Sequence, residues 1–295
     1  MEIVELKGVT KHYGSTRALA GLDFSVGEGR VHGLLGPNGA GKSTTLRLIL
    51  GLDRISGGEV TVFGLHPATS GETIRSRTAT VPSDVTLWPT LRGGDVIETI
   101  AGLRTDCSAT RRRELLERFH LDPHVRCRDY SSGNRQKVLL VAALQARADL
   151  YVLDEPTNGL DPLVDATFRD VVREERSRGA TVVLSSHVLA DVDTLADDVT
   201  LIRSGRRVET GSLDTLRHLH HLALSVRVDP SADPRLLASG VSNLRRDGVW
   251  VRGEVAPESL STVLSALGDT HPDDVRLSAP TLETLFLTHY RETSE

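Results

Sequence analysis

The sequence has few of the features that mark membrane-spanning, disulfide-stabilised or nucleic-acid-binding proteins. No apolar run approaches the roughly 20 residues of a spanning helix, and the N-terminus lacks a basic segment followed by an apolar one. The two cysteines, Cys107 and Cys127, form no CxxC pair, which predicts reduced thiols in a cytosolic setting. A formal net charge of −5 provides no electrostatic surface for nucleic acid. Any membrane role is therefore expected to come through a partner.

The order of strand and helix patterns predicts an α/β protein with two domains. At 295 residues the chain exceeds the usual size of a single core. Strand patterns alternate with helix patterns through the first part, which predicts a mainly parallel sheet covered by helices, with a helical insertion at about 90–147. The composition shifts near residue 220. We therefore expect a large domain over 1–220 and a small accessory domain over 221–295.

The last 75 residues show a separate α+β pattern. Strand, helix, hairpin, helix, strand and helix signals follow one another, which suggests a βαββα(β) domain. Asp247 and Gly248 are predicted to form the hairpin turn, both with positive φ, as a type I′ turn requires. The final helix is expected over "TLETLFLTHYRE".

The stretch "GPNGAGKST" carries the strongest chemical signal in the chain. It matches the G-x-x-x-x-G-K-[ST] phosphate loop, it follows a strand pattern, and it opens a helix pattern. Glycines let successive backbone N–H groups approach one anion, Lys42 neutralises the β- and γ-phosphates, and the Ser43 hydroxyl can bind Mg²⁺. ATP or GTP binding is predicted. The residues of the loop are Gly36, Pro37, Asn38, Gly39, Ala40, Gly41, Lys42, Ser43 and Thr44.

An acidic pair ends the apolar strand pattern "LYVLDE". In a phosphate-loop fold this strand lies beside the loop, so Asp154 is predicted to hold the Mg²⁺ ion through water. Glu155 then faces the attacking water as a candidate general base. The pair alone is weak evidence, because strands often end in acidic turns. Together with the phosphate loop it is strong evidence for a nucleotide site.

These motifs resemble those of the ATP-binding-cassette (ABC) ATPases over about residues 3–215. "GPNGAGKST" is similar to the Walker A motif, "YVLDE" to Walker B, "NGLD" to the D-loop with Asp161, and "LSSH" to the switch region with His187. The resemblance implies a phosphate-loop cassette with a mainly parallel sheet, an antiparallel β subdomain and a helical subdomain. It also implies ATPase activity with ATP and Mg²⁺, a γ-phosphate contact from His187, and stacking of Tyr13 on adenine. Without the resemblance, a lone Tyr in a strand would be a core residue about half the time.

The stretch "YSSGNRQKV" falls where the family has its "LSGGQRQRV"-like signature. In that family the signature caps the γ-phosphate of ATP held by the opposite subunit, so the resemblance implies a dimer, most simply a homodimer. Tyr130 replaces Leu, Ser132 replaces the first Gly, and Asn134 replaces Gln. The residues implied in this contact are Ser131, Ser132, Gly133 and Asn134. Ser131 or Ser132 is also predicted to cap the helix that follows.

A further departure lies at the Q-loop position, where "VPSDVTLWPTL" places Ser83 instead of the family's Gln. Because a serine is shorter than a glutamine, only a water-bridged contact with Mg²⁺, or no contact, is expected. We hypothesise weaker coupling between Mg²⁺ and this loop, with slower basal hydrolysis. Leu87 and Trp88 could contact a membrane partner, or Trp88 could be partly buried in the helical subdomain.

The chain most resembles the cassettes of actinobacterial drug and antibiotic exporters. This implies an ATPase at the cytoplasmic face of the cell membrane, bound to a separate integral membrane permease. The alternatives are a non-transport ABC ATPase acting on chromosomes or ribosomes and a nucleotide-binding regulator without hydrolysis. The spacing of Cys107, His120, His124 and Cys127 hints weakly at zinc, as do His218, His220 and His221, but no CxxC knuckle accompanies them.

Overall fold

A computed structural model describes residues 1–83, 86–187, 189–219, 222–227, 240–270 and 272–278, with the backbone alone at 191, 217–219, 269 and 270. The protein divides into two compact units, Met1–Thr210 and Gly211–Glu295. The sequence-based boundary after residue 220 falls inside the second unit. The predicted helix over "DPRLLASG" (233–240) lies outside the described residues except for Gly240, and the predicted helix over 281–292 lies wholly outside them, as do His220 and His221.

Among the residues that the structure describes, nine strands make the two sheets of the first unit. They are β1 (Glu2–Tyr13), β2 (Thr16–Gly27), β3 (Val31–Leu35), β4 (Gly57–Val62), β5 (Thr78–Val81), β6 (Leu150–Asp154), β7 (Thr181–Ser186), β8 (Asp198–Arg203) and β9 (Arg206–Ser212). The larger sheet has the order β5-β6-β7-β3-β8-β9, and its pairings from β5 through β8 are parallel. Strands β3, β6 and β7 are buried along their whole length, which explains their largely apolar sequences. The predicted α/β fold is confirmed.

The smaller sheet is antiparallel, with the order β2-β1-β4. One face of β1 and β2 carries apolar side chains that join the core with residues of the phosphate-loop helix and of the parallel sheet. Gly58 has φ +88°, and a Cβ there would lie 2.6 Å from the carbonyl oxygens of Lys7 and Gly8, so only glycine lets β4 approach β1 this closely.

Seven helices accompany these sheets in the described part of the first unit. They are α1 (Lys42–Ile49), α2 (Pro67–Ser76), α3 (Gly93–Gly102), α4 (Ala109–Arg118), α5 (Ser132–Leu144), α6 (Pro162–Ser177) and α7 (Leu189–Leu195). Helices α3 and α4 pack on α5, as the predicted helical segment at about 90–147 requires. The C-terminal eight residues of α5 are all buried, so this helix is the centre of that segment.

The second unit contains α8 (Leu213–Leu219) and a four-stranded antiparallel sheet with α9 (Leu260–Thr270). Its strands are β10 (Leu222–Arg227), β11 (Val241–Asp247), β12 (Trp250–Val255) and β13 (Asp274–Ser278), in the order β11-β12-β10-β13. Leu224, Val226, Val251 and Val255 of the sheet form a small core with Val263 and Leu267 of α9. The described elements follow the predicted order of strands and helices.

The hairpin turn of this unit differs from the prediction. Asp247 is the last residue of β11 and pairs with Trp250, so Gly248 and Val249 form the turn. Gly248 has φ +62°, whereas Asp247 and Val249 do not have positive φ. Glycine at the first central position with a positive φ there alone is typical of a type II′ turn rather than type I′.

Candidate functional site

Glycine geometry shapes the loop between β3 and α1. Gly39 and Gly41 have φ values of +79° and +108°. A Cβ on Gly41 would lie 2.7 Å from Leu19 Cδ2, and one on Gly36 would lie 2.4 Å from the Ile202 carbonyl oxygen. Each fixed glycine is therefore required by positive φ or by close packing, and α1 begins directly after Gly41 with its N-terminus at the loop.

Lys42 is buried at the start of α1. Its Nζ donates a hydrogen bond of 2.7 Å to the Gly36 carbonyl oxygen and lies 3.4 Å from the Pro37 carbonyl oxygen. The same ammonium lies 3.4 Å from Glu155 Oε1. The lysine is thus folded back over the loop, where it faces the carboxylate that the sequence assigns to catalysis.

The Asp154 carboxylate at the end of β6 is held by two serine hydroxyls. Ser83 Oγ donates a 2.8 Å hydrogen bond to Oδ2, and Ser185 Oγ donates a 2.5 Å bond to Oδ1. Asp154 is itself buried. No role for Ser185 follows from the sequence, although it lies within the "LSSH" stretch that contains His187.

Glu155 has a backbone conformation that is uncommon for a residue with a side chain. Its φ is +50°, and its N–H is held by the Ser185 hydroxyl at 3.0 Å and the Ser185 carbonyl oxygen at 3.2 Å. Glu155 Oε2 lies 2.6 Å from His187 Nδ1, while Oε1 faces Lys42. The turn after β6 therefore has a strained backbone at Glu155, and this conformation places the Glu155 carboxylate between Lys42 and His187.

These residues surround an open cleft of about 610 Å³. The cleft extends from Tyr13 at the end of β1, along the loop, to Ser83 and Glu155. Its lining residues are Tyr13, Thr16, Arg17, Ala18, Pro37, Asn38, Gly39, Gly41, Lys42, Ser43, Thr44, Ser83 and Glu155. The structure thus gathers in one cleft an exposed aromatic ring, a phosphate loop and a carboxylate from distant parts of the chain.

The predicted signature residues lie at the start of α5, and none of them lines this cleft. Ser131 is the N-cap, and its Oγ accepts a hydrogen bond of 3.2 Å from the Asn134 N–H. A Cβ on Gly133 would lie 2.6 Å from the Gly159 carbonyl oxygen, so glycine is required where α5 meets the loop after β6. Gln136 Nε2 adds a 2.9 Å hydrogen bond to the Pro156 carbonyl oxygen. Ser132, which replaces the family's first glycine, lies beside Gly159: if Gly159 carried a Cβ, that atom would be 3.7 Å from Ser132 Oγ.

Tyr130, which stands in place of the family's Leu, is buried beneath the signature. Its hydroxyl donates a 2.5 Å hydrogen bond to the Asp122 carbonyl oxygen, and its ring fills the space beside Gly93. Burial, with smaller effects of Cys127 and Asp122, raises the pKa of the Tyr130 hydroxyl to about 12. Tyr130 therefore packs as a buried side chain, and its hydroxyl adds one hydrogen bond to the segment between α4 and α5.

Asp161 caps the N-terminus of α6. Its Oδ1 accepts hydrogen bonds from the N–H groups of Val164 at 3.0 Å and Leu163 at 3.1 Å. The bond from Val164 is the main cause of a lowered pKa for the Asp161 carboxyl group, and the bond from Leu163 lowers it further. In the monomer the aspartate therefore has a capping role, outside the cleft.

The donor atoms near the loop fit Mg²⁺. Ser43 offers a hydroxyl in the cleft, and Asp154 offers a carboxylate whose two oxygens are already oriented by hydroxyl groups. All are hard oxygen ligands, which Mg²⁺ prefers together with water and phosphate. By contrast, the described residues contain no group of three or more His, Cys, Asp or Glu side chains placed to hold a metal, and Cys107 and Cys127 are free thiols.

The parallel sheet, the loop at the N-terminus of α1 and the acidic residues after β6 define a phosphate-loop nucleotide-binding domain. A model of the ABC transporter family matches residues 19–158. A daunorubicin resistance ATP-binding protein of Streptomyces coeruleorubidus is 34% identical over 96% of this chain and 94% of its own length. A fluoroquinolones export ATP-binding protein of Mycobacterium tuberculosis is 34% identical over 73% of each chain.

Among solved structures, an ATP-binding subunit of an ABC transporter matches with a TM-score of 0.67 and 31% identity, covering 73% of this chain and 92% of that one. The chain therefore belongs to the ATP-binding proteins of the ABC transporter family. It is an ATPase subunit homologous to drug-resistance and drug-export cassettes. No helix among the residues that the structure describes is long and apolar enough to span a membrane.

Proposed function

We propose that this protein is the ATP-hydrolysing subunit of an exporter whose permease is a separate chain, and that it works as a dimer of cassettes. The observation that carries the proposal is the position of Glu155, whose carboxylate lies 2.6 Å from His187 Nδ1 and 3.4 Å from Lys42 Nζ at the edge of the cleft. A carboxylate held in this way beside a phosphate loop is suited to accept a proton from an attacking water.

In the proposed reaction ATP lies along the cleft, with its triphosphate on the loop and its base at Tyr13. The loop N–H groups and Lys42 neutralise the phosphate oxygens. Lys42 then exchanges part of its contact with Glu155 for the γ-phosphate, which frees Oε1 to orient the water. His187 holds the other carboxylate oxygen and can contact the γ-phosphate. Mg²⁺, bound by Ser43 and by Asp154 through water, would neutralise the charge that develops on the phosphates.

The dimer accounts for the location of the signature. Ser131, Gly133 and the N-terminus of α5 form an anion-binding surface, yet these residues do not line their own chain's cleft. A second copy of the chain, placed head to tail, would bring this surface to the γ-phosphate. ATP would then close the dimer and hydrolysis would open it, which would move the permease between two access states.

The export direction and the type of substrate rest on the relatives. The two bacterial relatives described above are named for daunorubicin resistance and for fluoroquinolone export, and one of them matches nearly the whole chain. We therefore propose a drug, antibiotic or lipid-like substrate, and a position at the cytoplasmic face of the cell membrane. The chromosome-bound alternative would need long coiled-coil insertions, whereas the longest described helix, α6, has 16 residues.

Reconstitution of the protein with its membrane partner in liposomes tests the proposed export. The tagged chain is purified with the membrane protein that it retains after detergent extraction, and both are placed in liposomes with a fluorescent anthracycline as the transported probe. ATP supplied on the side of the cassette should drive the probe to the opposite side, and Glu155→Gln should prevent this transport. Movement of the probe toward the side of the cassette would contradict export, and retention of ribosomes or DNA in place of a membrane protein would support the alternative.

A further inference from the structure

A cluster at the base end of the cleft holds the ring of Tyr13 in place. The Tyr13 hydroxyl donates a 2.6 Å hydrogen bond to Asp53 Oδ2, and Arg47 Nε donates a 2.8 Å bond to the same oxygen. The Lys11 ammonium lies 4.6 Å from the centroid of the Tyr13 ring and donates to the Arg54 carbonyl oxygen at 2.7 Å. Asp53 and Lys11 thus contact Tyr13 directly, while Arg47 and the Arg54 carbonyl group hold these two side chains in place.

The ring needs such support because it is exposed. Tyr13 is 44% exposed at the last residue of β1, next to the hairpin turn at Gly14, and it has little packing to fix its side-chain torsions. The Asp53 side chain is only 15% exposed, so it is a fixed acceptor. Burial and the nearby Asp53 carboxylate raise the pKa of the Tyr13 hydroxyl, which keeps it protonated as a donor.

The two faces of the ring are not equivalent. Lys11 covers one face and is not among the residues that line the cleft, whereas Tyr13 is. The opposite face is thus the one available to a planar ligand. Because the ammonium attracts the π-electrons of the ring, it also holds the ring by a cation–π contact without occupying the cleft.

The cluster also ties the ring to the phosphate loop. Arg47 lies on α1, whose first residue is Lys42 of the loop, and Asp53 follows the C-terminus of the same helix. The hydrogen bonds from Tyr13 and Arg47 to one carboxylate oxygen therefore fix the distance between the aromatic ring and the phosphate loop. A ligand that uses both ends of the cleft, as a nucleoside triphosphate does, binds with less conformational entropy loss when this distance is preset.

We propose that Asp53 is a positioning residue for the nucleotide base: with Arg47 it fixes the Tyr13 ring at the distance from the phosphate loop that adenosine triphosphate spans. The proposal rests on the proposed binding of ATP in this cleft and adds to it a residue, and a role, that the phosphate-loop motifs do not contain. Asp53 is not among the residues that line the cleft, and it acts through Tyr13.

The test compares ATP with inorganic tripolyphosphate, which has no base, by isothermal titration calorimetry on the full chain. Tyr13→Phe removes the hydroxyl alone, Asp53→Ala removes the acceptor, and Tyr13→Ala removes the ring. Asp53→Ala and Tyr13→Phe should each weaken ATP binding about fivefold, as expected for the loss of one hydrogen bond. The double variant should be no weaker than the weaker of the two singles, and tripolyphosphate should bind all variants within about twofold of wild type.

A matched control is available at the opposite side of the sheet. Arg77 Nε donates to Asp149 Oδ2 at 2.6 Å, an exposed Arg–Asp pair outside the cleft, so Asp149→Ala should leave ATP affinity unchanged. The outcomes separate the two claims. If Tyr13→Ala weakens ATP binding while Asp53→Ala and Tyr13→Phe do not, the positioning role of Asp53 is overturned and the site stands. If Tyr13→Ala has no effect either, the base position assigned under the proposed function is wrong as well.

Binding of tripolyphosphate also shows whether a substitution has disturbed the structure of the phosphate loop. If Asp53→Ala weakened tripolyphosphate and ATP equally, the change would have disturbed the phosphate loop itself, and Asp53 would be structural rather than a positioning residue for the base. Tyr13→Phe gives an independent reading in that case, because it removes one exposed hydroxyl and leaves the Arg47–Asp53 pair intact. Wild-type ATP affinity in Tyr13→Phe would then overturn the proposal.

Discussion

Ser83 Oγ donates a 2.8 Å hydrogen bond to Oδ2 of Asp154. From the sequence, this serine is expected to reach Mg²⁺ only through water or not at all, because its side chain is shorter than that of glutamine. The structure provides a different connection, in which the loop contacts a candidate metal ligand rather than the metal. Partners that orient a metal-binding carboxylate commonly change metal affinity by about 10- to 100-fold when they are removed.

Substitution of Ser83 is therefore predicted to change the Mg²⁺ requirement. Ser83→Ala should raise the Mg²⁺ concentration for half-maximal ATP hydrolysis about tenfold, because Asp154 loses one of the two hydroxyl groups that orient it among the described residues. Ser83→Gln should raise the basal hydrolysis rate, since a longer amide can reach the ion. Binding of Mn²⁺, followed by electron paramagnetic resonance, checks the affinity without turnover. Identical rates and metal affinities in wild type and both variants would remove any role for this position.

Lys42→Ala is predicted to abolish ATP binding. The buried ammonium lies 2.7 Å from the Gly36 carbonyl oxygen of the loop and 3.4 Å from Glu155, so its loss removes the charge that neutralises the phosphates. A charge-assisted hydrogen bond contributes about 2 kcal/mol, so the dissociation constant should rise at least about 30-fold by calorimetry. Lys7→Ala, at an exposed lysine paired with Glu5, is the matched control and should bind normally. Near-wild-type affinity in Lys42→Ala would refute the phosphate-loop assignment.

Several parts of the site could be predicted because their spacing is fixed within one segment. The phosphate loop is such a case, since Gly36, Gly41 and Lys42 act through local backbone geometry and the helix that follows. Glu155 could be predicted because it follows an unbroken apolar strand. Asp53 and Ser185 could not, because their roles depend on contacts 40 and 31 residues away along the chain that only the folded sheet creates.

Weak local patterns explain what the sequence did not reveal about the fold. The first two strands are 12 residues long, far longer than their short apolar runs suggest, because β1 pairs with β2 along its length and with β4 beside it. Helix α2 begins at a proline and contains Gly71, and β5 has four residues, so neither carries a clear period. In the hairpin of the second unit, Asp247 retains its strand pairing, which moves the turn by one residue.

A pH-dependent loss of stability is predicted from His32 in β3. The side chain is buried, its Nε2 lies 2.8 Å from Thr200 Oγ1, and its ring packs against the Phe24 ring in a T-shaped arrangement. Burial lowers the pKa of His32 to about 4, from 6.5 in the unfolded chain. The unfolded state therefore binds the proton first, and the free energy of unfolding should fall by about 3 kcal/mol as pH drops from 6.5 to 4.

The contribution of His32 can be separated from that of the carboxyl groups by comparing urea unfolding of wild type and His32→Gln. Between pH 6.5 and 4 the variant should show a smaller decrease in unfolding free energy than wild type, while above pH 7 the two curves should run parallel. If the unfolding free energies of both proteins had the same pH dependence, the pKa of His32 would not differ between the folded and unfolded states, which would contradict the prediction.

The ion cluster between α4 and α6 is predicted to be important for stability. Arg111 donates to Glu114 at 2.6 Å and to Glu174 and Glu175 at 3.0 Å each, and the Glu175 side chain is only 3% exposed. Arg111→Met would leave a buried carboxylate with Arg178 as its remaining cation, at a cost of about 3 kcal/mol. Arg112→Met, at a partly exposed arginine paired with the exposed Glu98, should cost less than about 1 kcal/mol in the same unfolding experiment. Equal effects of the two substitutions would contradict this view of the cluster.

In the proposed mechanism this cleft hydrolyses ATP, and Glu155 is the residue that activates the attacking water. The most direct test is the rate of ATP hydrolysis by Glu155→Gln at saturating ATP and Mg²⁺, relative to wild type. The amide keeps the size of the side chain but cannot accept the proton, so the rate should fall about 100-fold or more. ATP should still bind and should hold the variant as a closed dimer. A Glu155→Gln protein that hydrolyses ATP at the wild-type rate would contradict the account.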